Sequence, residues 1–220
     1  GGGRARFPLE FLILPEISTT KRRLVILISG RGSNMQALAE ACRNEGWPAE
    51  VAAVTASRPD AAGLEWAAHQ GIATAALFHK DYASREAFDA ALAAEIDRYE
   101  PDYVILAGFM RVLTPGFVNH YAGRLVNIHP SLLPSFPGPQ AYRQAWERGV
   151  KIAGVTAHFV TMHLDEGPIL AQGSFPIRSN MSLTEIINAG QKLEARVLVK
   201  AVRIYLTKRL DVYWGIVKEV

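Results

Sequence analysis

A short run after an apolar segment places an amide and an imidazole two positions apart, at Asn127 and His129. If residues 125–128 form a strand, side chains at i and i+2 share one face, so both groups converge on one small atom beyond the strand. An amide donor can stabilise a developing oxyanion while a histidine supplies a proton. Prolines at positions 130, 134 and 137 predict a stiff loop after the strand. The alternative is a structural histidine at a strand end.

An isolated histidine is mostly neutral at pH 7, so a general acid at position 129 needs a carboxylate beside it. The best candidate is Asp165 in the turn Leu164-Asp165-Glu166-Gly167-Pro168, where glycine and proline hold a short acidic side chain. Glu166 is adjacent, and periodicity does not choose between the two acids. A simple Asx turn is the alternative interpretation of this segment.

A glycine-containing loop, Ser29-Gly30-Arg31-Gly32-Ser33-Asn34, follows the first predicted strand and opens the first predicted helix. Glycines allow a ligand to approach the backbone, and free N–H groups at a helix start attract an anion such as phosphate. A dinucleotide site would need a third glycine near Met35 and an acid after the second strand, where the chain has Ser57-Arg58. The pattern favours a phosphorylated substrate over NAD, and a tight turn capped by Ser33 is the alternative.

The last predicted helix, 182–206, begins with a capping box formed by Ser182 and Glu185. One face of this helix is apolar, and Glu194 falls inside that face. A buried acid needs a partner because an unpaired buried charge is costly. Glu194 and Gln191, three residues earlier on the same side, could hold hydroxyl or amine groups of a ligand. An internal salt bridge with an arginine is the alternative.

Apolar runs alternate with helical patterns along the chain, which predicts an α/β protein with a mostly parallel sheet and helices on both faces. The continuous apolar run 23–29 is typical of a strand covered on both faces. Segments 154–161 and 169–177 flank a turn and predict an antiparallel C-terminal strand pair. The other predicted strands are 50–55, 72–77, 103–107 and 125–128, and the other predicted helices are 33–44, 61–70, 84–99, 114–121 and 141–148.

Composition and charge narrow the class of protein. The 220 residues, 49% hydrophobic, predict one globular domain over 23–220 after an N-terminal extension, 1–22, that we expect to be poorly ordered. The net charge of +3 without a dense basic block suits small anionic ligands rather than nucleic acid. The single cysteine, Cys42, excludes a disulfide within the chain and fits a reducing compartment such as the cytoplasm. No apolar run approaches the roughly 18 residues of a membrane span, and the histidine spacing does not predict a metal site.

Four motifs in order resemble the phosphoribosylglycinamide formyltransferase family, and the resemblance runs from about Arg23 to the end of the last helix. The motifs lie at residues 27–34, 106–111, 127–134 and 158–168. The resemblance implies a Rossmann-like twisted sheet, the formyltransferase fold. It also implies transfer of the formyl group of 10-formyltetrahydrofolate, a co-substrate, to the amine of glycinamide ribonucleotide in purine biosynthesis. We expect these two small molecules as partners, no metal, no nucleic acid or membrane, and a monomer or homodimer.

The resemblance also assigns roles to single residues. Asn127, His129 and Asp165 match the family's catalytic trio. The glycinamide ribonucleotide would be bound through its phosphate by Gly32, Ser33 and Asn34, and through its glycinamide and ribose end by Gln191 and Glu194. The folate would be held, much of it through backbone groups, by Arg85, Met110, Arg111, Val112, Leu113 and Asn127, and by the loop of Thr161, Met162, His163 and Leu164.

One departure from the family pattern concerns the acceptor. After Pro137-Gly138, many members carry Leu-His and a second histidine, whereas this chain has Pro139-Gln140-Ala141-Tyr142. That run and residues 147–152 resemble formyltetrahydrofolate deformylase, which hydrolyses the same donor. Against this alternative, the deformylase family carries an N-terminal regulatory domain and usually a second histidine at the position of Pro130. A non-catalytic nucleotide or folate sensor is a further alternative, which the intact Asn127, His129 and Asp165 disfavour.

Overall fold

The computed structural model describes residues 12–16 and 21–220, and these form a seven-stranded sheet with strand order β3-β2-β1-β4-β5-β6-β7. The strands are β1 Arg22–Ile28, β2 Ala49–Ala56, β3 Ala73–Ala76, β4 Tyr103–Leu106, β5 Leu125–His129, β6 Ile152–Phe159 and β7 Ile169–Pro176. β1 to β5 are parallel, whereas β6 runs antiparallel to both β5 and β7. The predicted mostly parallel sheet with an antiparallel pair near its C-terminal end is therefore confirmed.

Helices connect the strands and cover both faces of the sheet. Within the described residues the α-helices are α1 Ser33–Asn44, α2 Ala62–His69, α3 Arg85–Asp97, α4 Pro115–His120, α5 Ala141–Arg148 and α6 Leu183–Thr207. The Ser182 hydroxyl accepts the Glu185 backbone N–H at 3.1 Å, as the predicted cap requires. A membrane span needs greater length and apolar character than any of the helices in the described part of the chain has.

The first strand divides the hydrophobic core into two layers. Leu24, Ile26 and Ile28 pack with one buried cluster, which contains residues of α1 and α6. Val25 and Leu27 pack with the other, which contains residues of α3 and α4. All five side chains are fully buried. A central parallel strand between two layers has no solvent face, which explains its unbroken apolar sequence.

The N-terminal extension predicted at 1–22 falls largely outside the described residues. Within the described part, Leu12 and Leu14 pack against the core, and Arg22 is already the first residue of β1.

A C-terminal hairpin was missed in the sequence. Its strands are β8 Leu210–Tyr213 and β9 Ile216–Glu219. Trp214 and Gly215 at its tip both have positive φ, 55° and 73°. A two-residue turn of this kind usually has asparagine or aspartate before the glycine, so the tryptophan concealed the hairpin signal.

Candidate active site

The carboxyl edge of the parallel strands brings the chemical groups together. β5 is extended through His129, so Asn127 and His129 lie on the same face. Their neighbours across the antiparallel β5–β6 pair are His158 and Thr156, respectively. Leu106, the last residue of β4, is the partner of Asn127 on the other side, which places the loop after β4 beside the amide.

His129 and Asp165 form a buried pair. The His129 Nδ1 lies 3.4 Å from the Asp165 Oδ1, and each side chain is only 7% exposed. The imidazole Nε2 lies 3.0 Å from the carbonyl oxygen of Phe136. Both ring nitrogens therefore face oxygen acceptors, an arrangement that a doubly protonated imidazolium satisfies. The structure places Asp165, and not the exposed Glu166, beside the histidine.

The loop after β5 is held by hydrogen bonds that position both members of the pair. The Gly138 N–H donates to the Asp165 Oδ2 at 2.7 Å. The Thr156 hydroxyl donates to the Ser131 carbonyl at 2.8 Å and accepts the Leu133 N–H at 3.0 Å. Because this loop supplies a partner to Asp165 and, through Phe136, to His129, the prolines and these contacts fix the distance between the two groups.

The turn that carries Asp165 has an unusual backbone. Asp165 has φ 56°, in the left-handed region that aspartate and asparagine tolerate better than most residues. Gly167 lies so close to β6 that a Cβ there would overlap the Phe159 carbonyl. The Phe159 N–H in turn donates to the Pro168 carbonyl at 2.9 Å. Glycine at position 167 is thus required for the turn to pack against β6 and place Asp165 beside His129.

The loop after β1 has the form expected of an anion site. Gly32 precedes α1 with φ 75° and ψ 28°, and no side chain in the described part of the protein caps the helix. A Cβ on Gly32 would lie 3.1 Å from the Cα of Gly63 and 2.8 Å from the Met35 side chain. The N–H groups at the start of α1 are therefore free of side-chain caps, and Ser33 at the first helical position is exposed.

Among the described residues Glu194 has two hydrogen-bond partners, neither of them an arginine. Its Oε2 accepts the Tyr142 hydroxyl at 2.5 Å, and its Oε1 accepts the Asn34 side-chain N–H at 3.3 Å. Burial raises the pKa of the Glu194 carboxyl, while these two donors and the charge of His129 oppose that rise. The expected partner for an acid on the apolar face is therefore present. Gln191, by contrast, is exposed.

The residues that the resemblance assigned to folate occupy two loops and one helix start, apart from Asn127, which lies on β5. Arg85 is the exposed first residue of α3, and the Arg111 guanidinium lies 4.8 Å from the centre of the Phe88 ring. Leu113 packs against the core. Thr161 and His163 are joined by a hydrogen bond within their loop. Four apolar side chains on the two loops are more than half exposed: Met110, Val112, Met162 and Leu164.

His158 was not singled out as a site residue, although it is adjacent to the pair. It is 2% exposed, its Nδ1 lies 2.9 Å from the Phe159 carbonyl, and its Nε2 has no hydrogen-bond partner among the described residues. Burial lowers the pKa of His158, which keeps the ring neutral.

Tyr142 is marked in the sequence only as a departure from the family pattern. Its contact with Glu194 joins α5 to α6, which no sequence spacing reveals.

No cluster of three or more histidine, cysteine or acidic side chains suited to a metal ion occurs among the described residues.

Comparisons with known proteins identify the family of this chain. The model of the family described as formyl transferase matches residues 22–202. The phosphoribosylglycinamide formyltransferase of Escherichia coli (strain K12) is 46% identical over 190 residues, which cover 86% of this chain and 90% of that protein. A formyltetrahydrofolate deformylase of Escherichia coli O6:H1 is 37% identical over 201 residues, 88% of this chain and 68% of that protein.

Solved structures give the same result. Glycinamide ribonucleotide transformylase 1 from Symbiobacterium toebii superimposes with a TM-score of 0.87 at 41% identity, over 91% of this chain and 94% of that chain. The chain therefore belongs to the formyl transferase family, and the resemblance to phosphoribosylglycinamide formyltransferase that the sequence motifs indicated is confirmed.

Proposed function

We propose that this protein transfers the formyl group of 10-formyltetrahydrofolate to the amine of glycinamide ribonucleotide, a step of purine biosynthesis. The observation that carries the proposal is the buried His129–Asp165 pair, at the same sheet edge as Asn127 and the uncapped start of α1. Formyl transfer needs an acid and an oxyanion stabiliser next to a binding site for the phosphorylated acceptor. The groups at this edge of the sheet are suited to all three roles, which supports the proposal.

In the proposed mechanism, the substrate amine attacks the formyl carbon directly. A C–N bond forms and the formyl C=O becomes an oxyanion, which the Asn127 amide and the imidazolium N–H of His129 stabilise by hydrogen bonds. The Nε2 of His129 faces the Phe136 carbonyl at 3.0 Å, so the formyl oxygen would replace that carbonyl as acceptor. The negative charge of Asp165 stabilises the imidazolium.

Collapse of the tetrahedral intermediate completes the transfer. The bond from the formyl carbon to the folate nitrogen breaks, and that nitrogen takes a proton while the acceptor nitrogen loses one. Asp165 would assist this proton movement through water. No covalent bond to the enzyme is needed.

The acceptor would lie between α1 and α6. The backbone N–H groups of Gly32, Ser33 and Asn34 would bind its phosphate, since uncapped N–H groups and the helix dipole favour an anion. Gln191 and Glu194 would accept hydrogen bonds from its ribose and glycinamide end. Support comes from the Asn34–Glu194 contact of 3.3 Å, which links the proposed phosphate and ribose ends of the site.

The formyl donor would lie between the loops 108–113 and 161–164. The exposed Met110, Val112, Met162 and Leu164 side chains suit the apolar faces of an aromatic ring system, because exposed apolar patches commonly mark binding surfaces. Arg85 and Arg111 would pair with carboxylates of the folate tail. Asn127 would contact the donor at the reacting end.

The second candidate function is hydrolysis of the same donor. It is favoured by the Pro139-Gln140-Ala141-Tyr142 run and by the 37% identity to the deformylase. Water would then take the place of the substrate amine.

Absorbance of the folate product distinguishes these possibilities when purified protein is supplied with 10-formyltetrahydrofolate. We expect product only when glycinamide ribonucleotide is added. Equal product without the ribonucleotide would establish the deformylase, and no product under either condition would favour the non-catalytic sensor.

A further inference from the structure

Tyr142 makes an unusual contact with the long C-terminal helix. It is the second residue of α5, and its hydroxyl donates to the Glu194 Oε2 at 2.5 Å. Its ring packs directly on Gly190, one helical turn before Glu194, where any Cβ would overlap the ring. Glycine at 190 and tyrosine at 142 therefore form a matched pair that brings a hydroxyl to the carboxylate.

The contact with Tyr142 is one of two hydrogen bonds that restrain the Glu194 carboxylate. Asn34 holds the other carboxylate oxygen at 3.3 Å, so donors from α1 and α5 together restrain a side chain of α6. A carboxylate accepts about four hydrogen bonds, and these two leave acceptor positions on each oxygen. The Asn34 Oδ1 is buried without a hydrogen-bond partner among the described residues. The cluster Tyr142-Glu194-Asn34 thus presents acceptors, which suit the hydroxyl or amine donors of a ligand.

Electrostatics favour the same role. Burial and the Glu194 charge raise the pKa of the Tyr142 phenol, so the tyrosine remains a donor across the range in which proteins fold. Burial raises the pKa of Glu194 as well, and the Tyr142 hydrogen bond opposes that effect. The tyrosine hydrogen bond therefore favours the ionised form of Glu194 and also orients the carboxylate.

We propose that Tyr142 is a positioning residue for the acceptor substrate, which acts by holding the Glu194 carboxylate against the hydroxyl or amine donors of the glycinamide ribonucleotide. The inference rests on the proposed function. It assigns a purpose to the position at which the sequence departs from the histidine pattern of the family.

The test is Tyr142→Phe, which keeps the ring on Gly190 and removes only the hydroxyl. A hydrogen bond to a charged group is worth enough to change an equilibrium by about tenfold or more. We therefore expect KM for glycinamide ribonucleotide to rise about tenfold, with kcat and the KM for 10-formyltetrahydrofolate changing by less than about threefold. The control is Tyr121→Phe, since the buried Tyr121 hydroxyl donates to the Asp97 Oδ1 at 2.7 Å. This control removes an equivalent bond and should change neither KM.

A double-mutant cycle shows whether the tyrosine acts through Glu194. In a Glu194→Ala background, Tyr142→Phe should change the KM for the ribonucleotide by less than about twofold. The effects of residues in contact are not additive, and the hydroxyl has no carboxylate to hold once Glu194 is replaced. Three results would each overturn the proposal. The effects of the two substitutions on the KM for the ribonucleotide could be fully additive, Tyr142→Phe could raise the KM values for both substrates equally, or Tyr142→Phe alone could leave the KM for the ribonucleotide unchanged. Wild-type protein that releases product without the ribonucleotide would instead refute the proposed function.

Discussion

Replacement of Asp165 by asparagine isolates the charge of the buried pair. Asparagine tolerates the left-handed φ of 56° at this position. Its side-chain oxygen can also accept the Gly138 N–H, which in the wild-type protein donates to the Asp165 Oδ2 at 2.7 Å. The substitution therefore keeps the turn and the loop contact while it removes the negative charge beside His129.

The expected effect follows from Coulomb's law. Opposite unit charges 3.4 Å apart interact by about 5 kcal/mol at an effective dielectric constant of about 20. Salt screens this pair weakly because both side chains are only 7% exposed. Loss of this stabilisation of the imidazolium should lower kcat by on the order of 10³-fold.

The assay is the ribonucleotide-dependent appearance of folate product under saturating substrates. Its control is Asp97→Asn, since Asp97 lies 2.7 Å from the Nε2 of His120 in an Asp–His pair whose side chains are 43% and 49% exposed. This control should leave kcat within about twofold of wild type, because exposed ion pairs contribute little. If Asp165→Asn kept its fold and lost less than tenfold in kcat, the charge of Asp165 would not be what supports catalysis.

Two further predictions concern stability. Burial raises the pKa of Glu194 above its unfolded value, which is about 4.3. The contribution of Glu194 to the free energy of unfolding is therefore fully present below the unfolded pKa, and it is lost as pH rises through the raised folded pKa. The melting temperature of Glu194→Gln should therefore increase relative to wild type as pH rises from 4 to 7. The control Glu147→Gln, at an exposed position, should show no such trend. Parallel curves of melting temperature against pH for wild type and Glu194→Gln would contradict the argument. Gly167→Ala places a Cβ against the Phe159 carbonyl and should lower the melting temperature by about 5 °C or more. Gly116→Ala, where a Cβ meets no described atom within 4 Å, should change the melting temperature by less than about 2 °C. Equal shifts in the two glycine variants would show that the close approach at Gly167 costs nothing.

Local patterns in the sequence were sufficient for several features. Period-two alternation put Asn127 and His129 on one strand face, and the run of apolar residues from Leu24 to Ile28 predicted a strand buried on both sides. The Ser182 cap was readable because its partner lies three residues away. These features depend on neighbours within one helical turn or one strand, so the sequence encodes them directly.

Only the tertiary structure chose between alternatives that the sequence left open. Asp165 and Glu166 are adjacent, and the return of β6 along β5 together with the positive φ of the turn decided which carboxylate reaches His129. The partners of Glu194 lie 52 and 160 positions away in sequence. Periodicity carries no information on contacts at that separation, because they depend on how helices pack across the sheet. The sequence thus determined which groups could act, and packing determined which of them meet.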